Sequence, residues 1–150
     1  MADSNLNLNY TTVQEYTNFM GQRFVNMISS STPNAESADT DKIERALLFA
    51  ESEVDMYLKK GGYDVPIDHN DYPRSVNLLR FYTYTIATYN LYSKDQMTQP
   101  EFIAYNEVRK KLISLKDGDL ILPDDDSWEN LRKLYVGSTF ENQVLYNSHI

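Results

Sequence analysis

One run limits the possible folds more than any other: PRSVNLLRFYTYTIATYNLY, residues 73–92. Pro73 suits the first turn of a helix, where a backbone N–H has no intrahelical partner to lose. No Gly or Pro follows it within the run. At the 3.6-residue period Leu78, Leu79, Tyr82, Ile86 and Tyr89 share one stripe. Val76, Tyr84, Ala87 and Leu91, with Arg80 among them, share a second, and Phe81 and Tyr92 point in a third direction. A helix on the outside of a small domain needs only one apolar face, so this one is expected to be covered on more than one side. It is either the central helix of a bundle or a helix with one stripe in the core and another against a neighbouring subunit. The first is the plainer reading; tyrosine, with an apolar body and a polar tip, is enriched at interfaces and adds a little weight to the second.

The rest of the chain supplies helices to pack around it. Thr12 and Glu15 have the spacing of a capping box, opening a helix to about Gly21 with Tyr16, Phe19 and Met20 on its apolar side. Phe24, Val25, Met27 and Ile28 form a short apolar segment of either type, and residues 29–40 (SSSTPNAESADT) read as an exposed loop. Ile43, Ala46, Leu47, Ala50, Val54, Tyr57 and Leu58 recur at threes and fours, predicting a helix capped by Asp41 or Thr40 and ended by Gly61-Gly62. Asp55 lies beside that stripe and is expected to be paired or to cap a neighbour. Residues 63–72 are turn-rich. Thr98, Pro100 and Glu101 open a further helix to about Lys116 that buries Phe102, Tyr105, Val108, Leu112 and Leu115 before Asp117-Gly118 stops it. Leu120 to Leu122 is a short apolar piece, expected to be extended. A brief helix is expected over 127–136, carrying Trp128, Leu131, Leu134 and Tyr135, and the last dozen residues are expected to order only against something else. The expected fold is mainly α: a small bundle of about four main helices over 10–122, with a short extended segment and a C-terminal extension over 123–150.

Little here suggests catalysis. With 150 residues the chain fits one domain, and with no Cys it can form neither disulfides nor thiolate metal sites. Asp68, His69, Asn70 and Asp71 match no calcium-loop spacing, and Asx-rich loops usually bond their own backbone. The run 124–126 of three Asp reads as a solvated acidic turn rather than a cation site. No Gly-rich phosphate loop, G-x-S-x-G or His-x-x-x-His occurs, and His69 and His149 are far apart in sequence. No enzyme, no catalytic residue, no metal and no cofactor is expected. Net charge is −8, from 14 basic and 22 acidic side chains, whereas nucleic-acid binding calls for a basic footprint. The cluster of Arg109, Lys110, Lys111 and Lys116 reads instead as the solvated face and end of an amphipathic helix. No apolar run approaches the roughly 20 residues of a membrane span, and MADSNLNLNY lacks the start of a signal peptide. A soluble intracellular protein is expected.

The succession of elements nevertheless resembles a known family. Asp55-Met56-Tyr57-Leu58 closes one helix, Tyr63-Asp64-Val65-Pro66 forms a turn, and Tyr89-Asn90-Leu91-Tyr92 closes the next helix. After them come Tyr105, Leu112-Ile113 and Gly118 through Leu122. From Tyr10 to Leu122 this order is similar to that of the small head-to-tail connector (neck or head-completion) proteins of tailed bacteriophages, in particular the Mu type. Gly62 stands where that family carries a basic residue, the 29–40 loop is long, and 123–150 runs past the family's usual end. The resemblance implies a structural virion protein, present in the host cytoplasm before assembly, whose copies form a ring, commonly of about twelve subunits. Such a ring joins the portal protein to a downstream connector, tail terminator or tail protein and extends the DNA channel. Acidity suits such a channel, since a lumen of carboxylates releases no counterions from DNA and gives it little to stick to. Subunit or partner contacts are expected at Tyr57, Tyr63, Arg80, Tyr84, Tyr92, Trp128, Tyr135 and Tyr146, with no membrane involved and the C-terminal extension docking on a partner. The competing expectation is a free cytoplasmic helical adaptor whose surplus aromatic surface binds one unrelated protein.

Overall fold

The structure, a computed structural model, describes residues 7–30, 35–92 and 99–125. Among these residues there are five helices and no strand. They are α1 (Val13–Met20), α2 (Gln22–Ser29), α3 (Thr40–Lys60), α4 (Pro73–Leu91) and α5 (Gln99–Asp117). The three long helices pack on one another, and the short pair lies across α3 and α4. Tyr89, near the end of α4, stacks on Tyr105 in the second turn of α5 at 3.8 Å, so α5 runs back along α4. The chain just after α3 meets the last turns of α5, where Gly61 abuts the Leu115 carbonyl. The core runs through all five helices, and among its members Tyr16, Val25, Leu47, Leu79 and Leu112 are completely buried. Burying each such large side chain contributes about 1.5–3 kcal/mol. Among the described residues no helix is long and apolar enough to cross a membrane.

Local rules place the helix ends. Thr12 accepts from Glu15 N at 3.0 Å while Glu15 accepts from Thr12 N at 3.0 Å, so the expected capping box forms. Gly21, at φ 98°, ends α1 and starts α2 in a conformation that only glycine adopts without strain. The segment of undecided type is therefore a second short helix, and its last residue, Ser29, is buried rather than part of an exposed loop. The cap of α3 is Asp39, not Asp41 or Thr40: its Oδ1 accepts from Lys42 N at 3.1 Å. Only a residue just outside the helix can reach back to that third N–H, whereas Asp41 sits in the first turn and complements the helix dipole.

The start of α4 is capped from a distance. Tyr72 offers no side-chain cap, but Asp124 Oδ2 accepts from Ser75 N at 2.7 Å, and Ser75 Oγ accepts from Asp124 N at 3.4 Å. Asp125, also buried, accepts from Tyr63 OH at 2.8 Å, and that hydroxyl accepts from Leu122 N at 3.1 Å. The acidic run is thus no solvated turn at its first two positions: the unpaired N–H groups at the start of α4 draw Asp124 in, and the Tyr63 hydroxyl holds Asp125. Asp126 lies outside the described residues, as do Thr98 and the expected 127–136 helix. Leu120 to Leu122 forms no strand; Asp119 N and Leu120 N both turn back to Ser114 O.

On α4, Val76, Leu79, Tyr82, Tyr84, Ile86, Ala87 and Leu91 are all buried by the subunit's own helices. Both apolar stripes are largely used up within the chain, leaving Phe81 as the side chain that faces out. On α5, Val108, Leu112 and Leu115 are buried as expected, but Phe102 is 48% exposed. It lies in the first turns, beside the end of α4, where no further helix covers it among the described residues.

Candidate interaction surfaces

The tyrosines come first, because the sequence marks them as contacts. Tyr84 is buried; its ring packs edge-on to Tyr16 at 5.4 Å and its hydroxyl shares a 2.8 Å hydrogen bond with Thr11 Oγ1. Arg80 Nε donates to Tyr10 O at 2.7 Å and Nη1 to Asn77 Oδ1 at 3.0 Å. Half-buried Tyr63 holds the 122–125 turn, and burial pushes its hydroxyl pKa up to about 12. The Tyr57 hydroxyl on α3 lies near Arg109 on α5 and raises the pKa of that guanidinium. Tyr92 packs edge-on to Phe24 at 5.9 Å, and burial, with the Glu101 carboxylate nearby, raises the pKa of its hydroxyl. Of these five expected contact residues, Arg80 and Tyr84 sit one turn apart on α4 and border the same hollow, whereas Tyr57, Tyr63 and Tyr92 lie elsewhere on the subunit; Arg80, Tyr63 and Tyr84 spend their polar groups on hydrogen bonds inside the chain. Trp128, Tyr135 and Tyr146 lie outside the described residues.

The same use of hydroxyls anchors the N-terminal segment. Tyr10 OH donates to Asp55 and accepts from Ile67 N at 3.0 Å, tying residues before α1 to α3 and to the 61–72 connection. Asp55 is paired, as its position predicts. Beside it Glu51, 2% exposed, accepts from Asn9 N at 2.7 Å and from Tyr10 N at 2.8 Å. Burial raises the pKa of both carboxyls; the N–H donors oppose this at Glu51, and the Tyr10 hydroxyl opposes it at Asp55. In the 61–72 connection Asp68 accepts from Asn70 N at 2.7 Å, closing an Asx turn. Among the described residues no group of three or more His, Asp or Glu could hold a metal ion.

What faces outward is phenylalanine and methionine. Phe19 is 60% exposed and Phe81 50%, their rings edge-on at 6.4 Å. They border an apolar groove of about 270 Å³ floored by α4 and walled by α1 and α5, with Thr85, Tyr89 and Ala104 along it. Glu101 closes one end, its Oε2 shut off from solvent with no hydrogen-bond partner among the described residues. Phe102 and Ile103 continue the apolar surface beyond it. A second patch lies on α3, where Phe49 is 65% and Met56 45% exposed. At about 100° per residue these two lie roughly 180° from the buried Leu47, Val54 and Leu58. The signal for this patch is in the sequence, as two apolar residues seven apart on the arc opposite the buried stripe, but the seven-residue stripe of α3 draws attention away from it. The described residues thus include an apolar hollow over α4 and an apolar ridge on α3.

Among curated proteins and among solved structures, none matches the chain. The model of the family described as Bacteriophage Mu, Gp36 matches residues 10–134, well over half of the chain, so the family's region extends past Leu122, where the sequence reading ends it, and takes in the turn that Tyr63 and Ser75 hold. The match takes in the N-terminal anchor at Tyr10, all five helices and the remote cap of α4, so the chain belongs to the bacteriophage Mu Gp36 family.

Proposed function

We propose that this phage-family protein is a structural virion component, a head-to-tail connector subunit whose copies form a ring between the portal and the tail and lengthen the DNA channel. The observation that carries this is the pair of apolar surfaces on an acidic helical subunit, the Phe49 and Met56 ridge on α3 and the exposed phenylalanines beside α4 and α5. A monomer gains nothing by exposing large apolar side chains on two faces, whereas two different patches allow head-to-tail contacts that close into a ring. DNA passes through the lumen without specific binding, and the last part of the 123–150 extension docks on the portal or on the next ring. The subunit performs no chemistry, and needs neither metal nor cofactor.

Electron microscopy of the protein mixed with its portal tests this. A ring seated on the portal is expected, and loss of the protein should leave filled heads without tails. A protein that stays monomeric or dimeric beside its portal, with tail attachment unaffected by its loss, would point to a free adaptor instead. A monomer in the absence of portal is compatible with either, because docking can supply the template for the ring.

A further inference from the structure

The groove over α4 has a candidate occupant within the same chain. The last described residues are fastened at the start of α4, with Asp124 on Ser75 N and Asp125 on Tyr63 OH. Beyond them the chain continues for 25 residues, and the family match runs on to residue 134. That places the first part of this continuation within the family's common domain rather than in an appendage. Residues 127–136 (SWENLRKLYV) have helical spacing, with Trp128, Leu131, Leu134 and Tyr135 on one arc and Arg132 beside it. As a helix they would span about 15 Å, against about 12 Å for the stretch of α4 from Phe81 to Tyr89 that floors the groove. The groove begins roughly 9 Å along α4 from the Ser75 anchor, and the three residue steps from Asp124 to Ser127 can span about 10–11 Å when extended. Charge agrees as well: the acidic Glu101 lines the groove, and the segment carries Arg132 beside its apolar arc.

We infer that residues 127–136 form an amphipathic helix that lies in the α1–α4–α5 groove of their own subunit. Trp128, Leu131 and Leu134 then cover Phe19 and Phe81, and the chain from 137 onward is left for a partner. This does not depend on the connector reading, because it concerns the free subunit.

Trp128 is the chain's one tryptophan, so indole fluorescence of the full-length protein in the absence of portal reads the inference directly. The emission of the native chain should be blue-shifted from that of indole in water and unchanged on 100-fold dilution. Phe81→Lys and Thr85→Lys, both at outward or half-buried groove positions, should each move it to the red with circular dichroism unaltered. Phe49→Lys, on the α3 ridge, should leave it in place. Water-like emission from the native chain overturns the inference, and so does a blue-shifted emission that neither groove variant moves. A blue shift lost on dilution assigns the groove to the segment of a second copy and overturns it equally.

Discussion

At the scale of single residues, the tyrosines that seem to advertise an interface are mostly staples within the subunit. Tyr10, Tyr16, Tyr63 and Tyr84 each place a ring in or against the core and a hydroxyl on a group from a distant part of the chain. Composition reveals such residues but not their partners, because Asp55, Thr88, Asp125 and Thr11 are tens of residues away from them. Removing the Tyr10 hydroxyl leaves Asp55 and Ile67 N without that partner. Tyr10→Phe is therefore expected to cost about 1–3 kcal/mol in denaturant unfolding, more than its lost atom alone suggests. The buried carboxyls set a pH dependence. The folded-state pKa of Glu51 lies above its ordinary 4.5 and that of Asp55 above 3.8. A raised carboxyl pKa means that the folded chain holds the proton more tightly than the unfolded one. Its stabilising contribution is therefore complete below the ordinary value and lost as pH rises through the raised one. Glu51→Gln does not titrate there. The stability advantage of the native chain over this variant should shrink as pH rises from below 4.5 through the raised folded-state value, and equilibrium unfolding at several pH values measures it. An advantage that grew with pH would mean that the N–H donors outweigh the burial.

At the scale of elements, the legible features are those whose causes lie within a few residues. The Thr12 box, the Pro73 start of α4 and the stripe of α3 can all be read from the chain because cap and helix are neighbours in sequence. The Asp124 cap cannot, since it joins Ser75 across 49 positions, and the acidic run looks like a solvated turn until the fold brings the two together. Asp124→Ala should therefore destabilise the subunit by about 0.5–2 kcal/mol, the usual worth of an N-cap, although it lies far from α4 in sequence. Gly61-Gly62 shows the same division. The pair reads as one helix stop, but its two members do different work. Gly62 has φ 97° and open space around it, so an alanine there meets backbone strain of about 1–2 kcal/mol and nothing else. Gly61 has an ordinary helical φ of −81°, yet a Cβ on it would lie 2.5 Å from the Leu115 carbonyl oxygen. Backbone cannot give way as a side chain can, so Gly61→Ala must push α5 off the end of α3. Thermal unfolding of the two variants should rank Gly61→Ala as the more damaging; the reverse order would mean that the α3–α5 approach is loose.

At the scale of the whole molecule, the question is where an acidic subunit keeps apolar surface that it could have buried. Its central helix is not the answer, because its own neighbours enclose most of α4, and the flank left over is the Phe81 side of one groove. If residues 127–136 fill that groove, the surface that remains for sister copies is the α3 ridge together with Phe102 and Ile103 on α5. These are distinct patches on different helices, which is the condition for a heterologous contact: the ridge of one copy meets a different surface on the next, and the chain of contacts ends only by closing. The ridge is the better place to test, since Phe49 and Met56 lie opposite the buried stripe and support nothing inside the subunit. Phe49→Asp and Met56→Asp should each leave the unfolding free energy within about 0.5 kcal/mol of the native value, as surface changes do. In the ring each removes a contact of about 1.5–3 kcal/mol, or roughly 10–100-fold in affinity per interface. Because every interface of a closed ring carries the same substitution, even the smaller loss should turn full rings on the portal into partial arcs or bare portals in electron micrographs. Complete rings from both variants would mean that α3 faces solvent in the assembly and that the α5 surface makes the subunit contact alone.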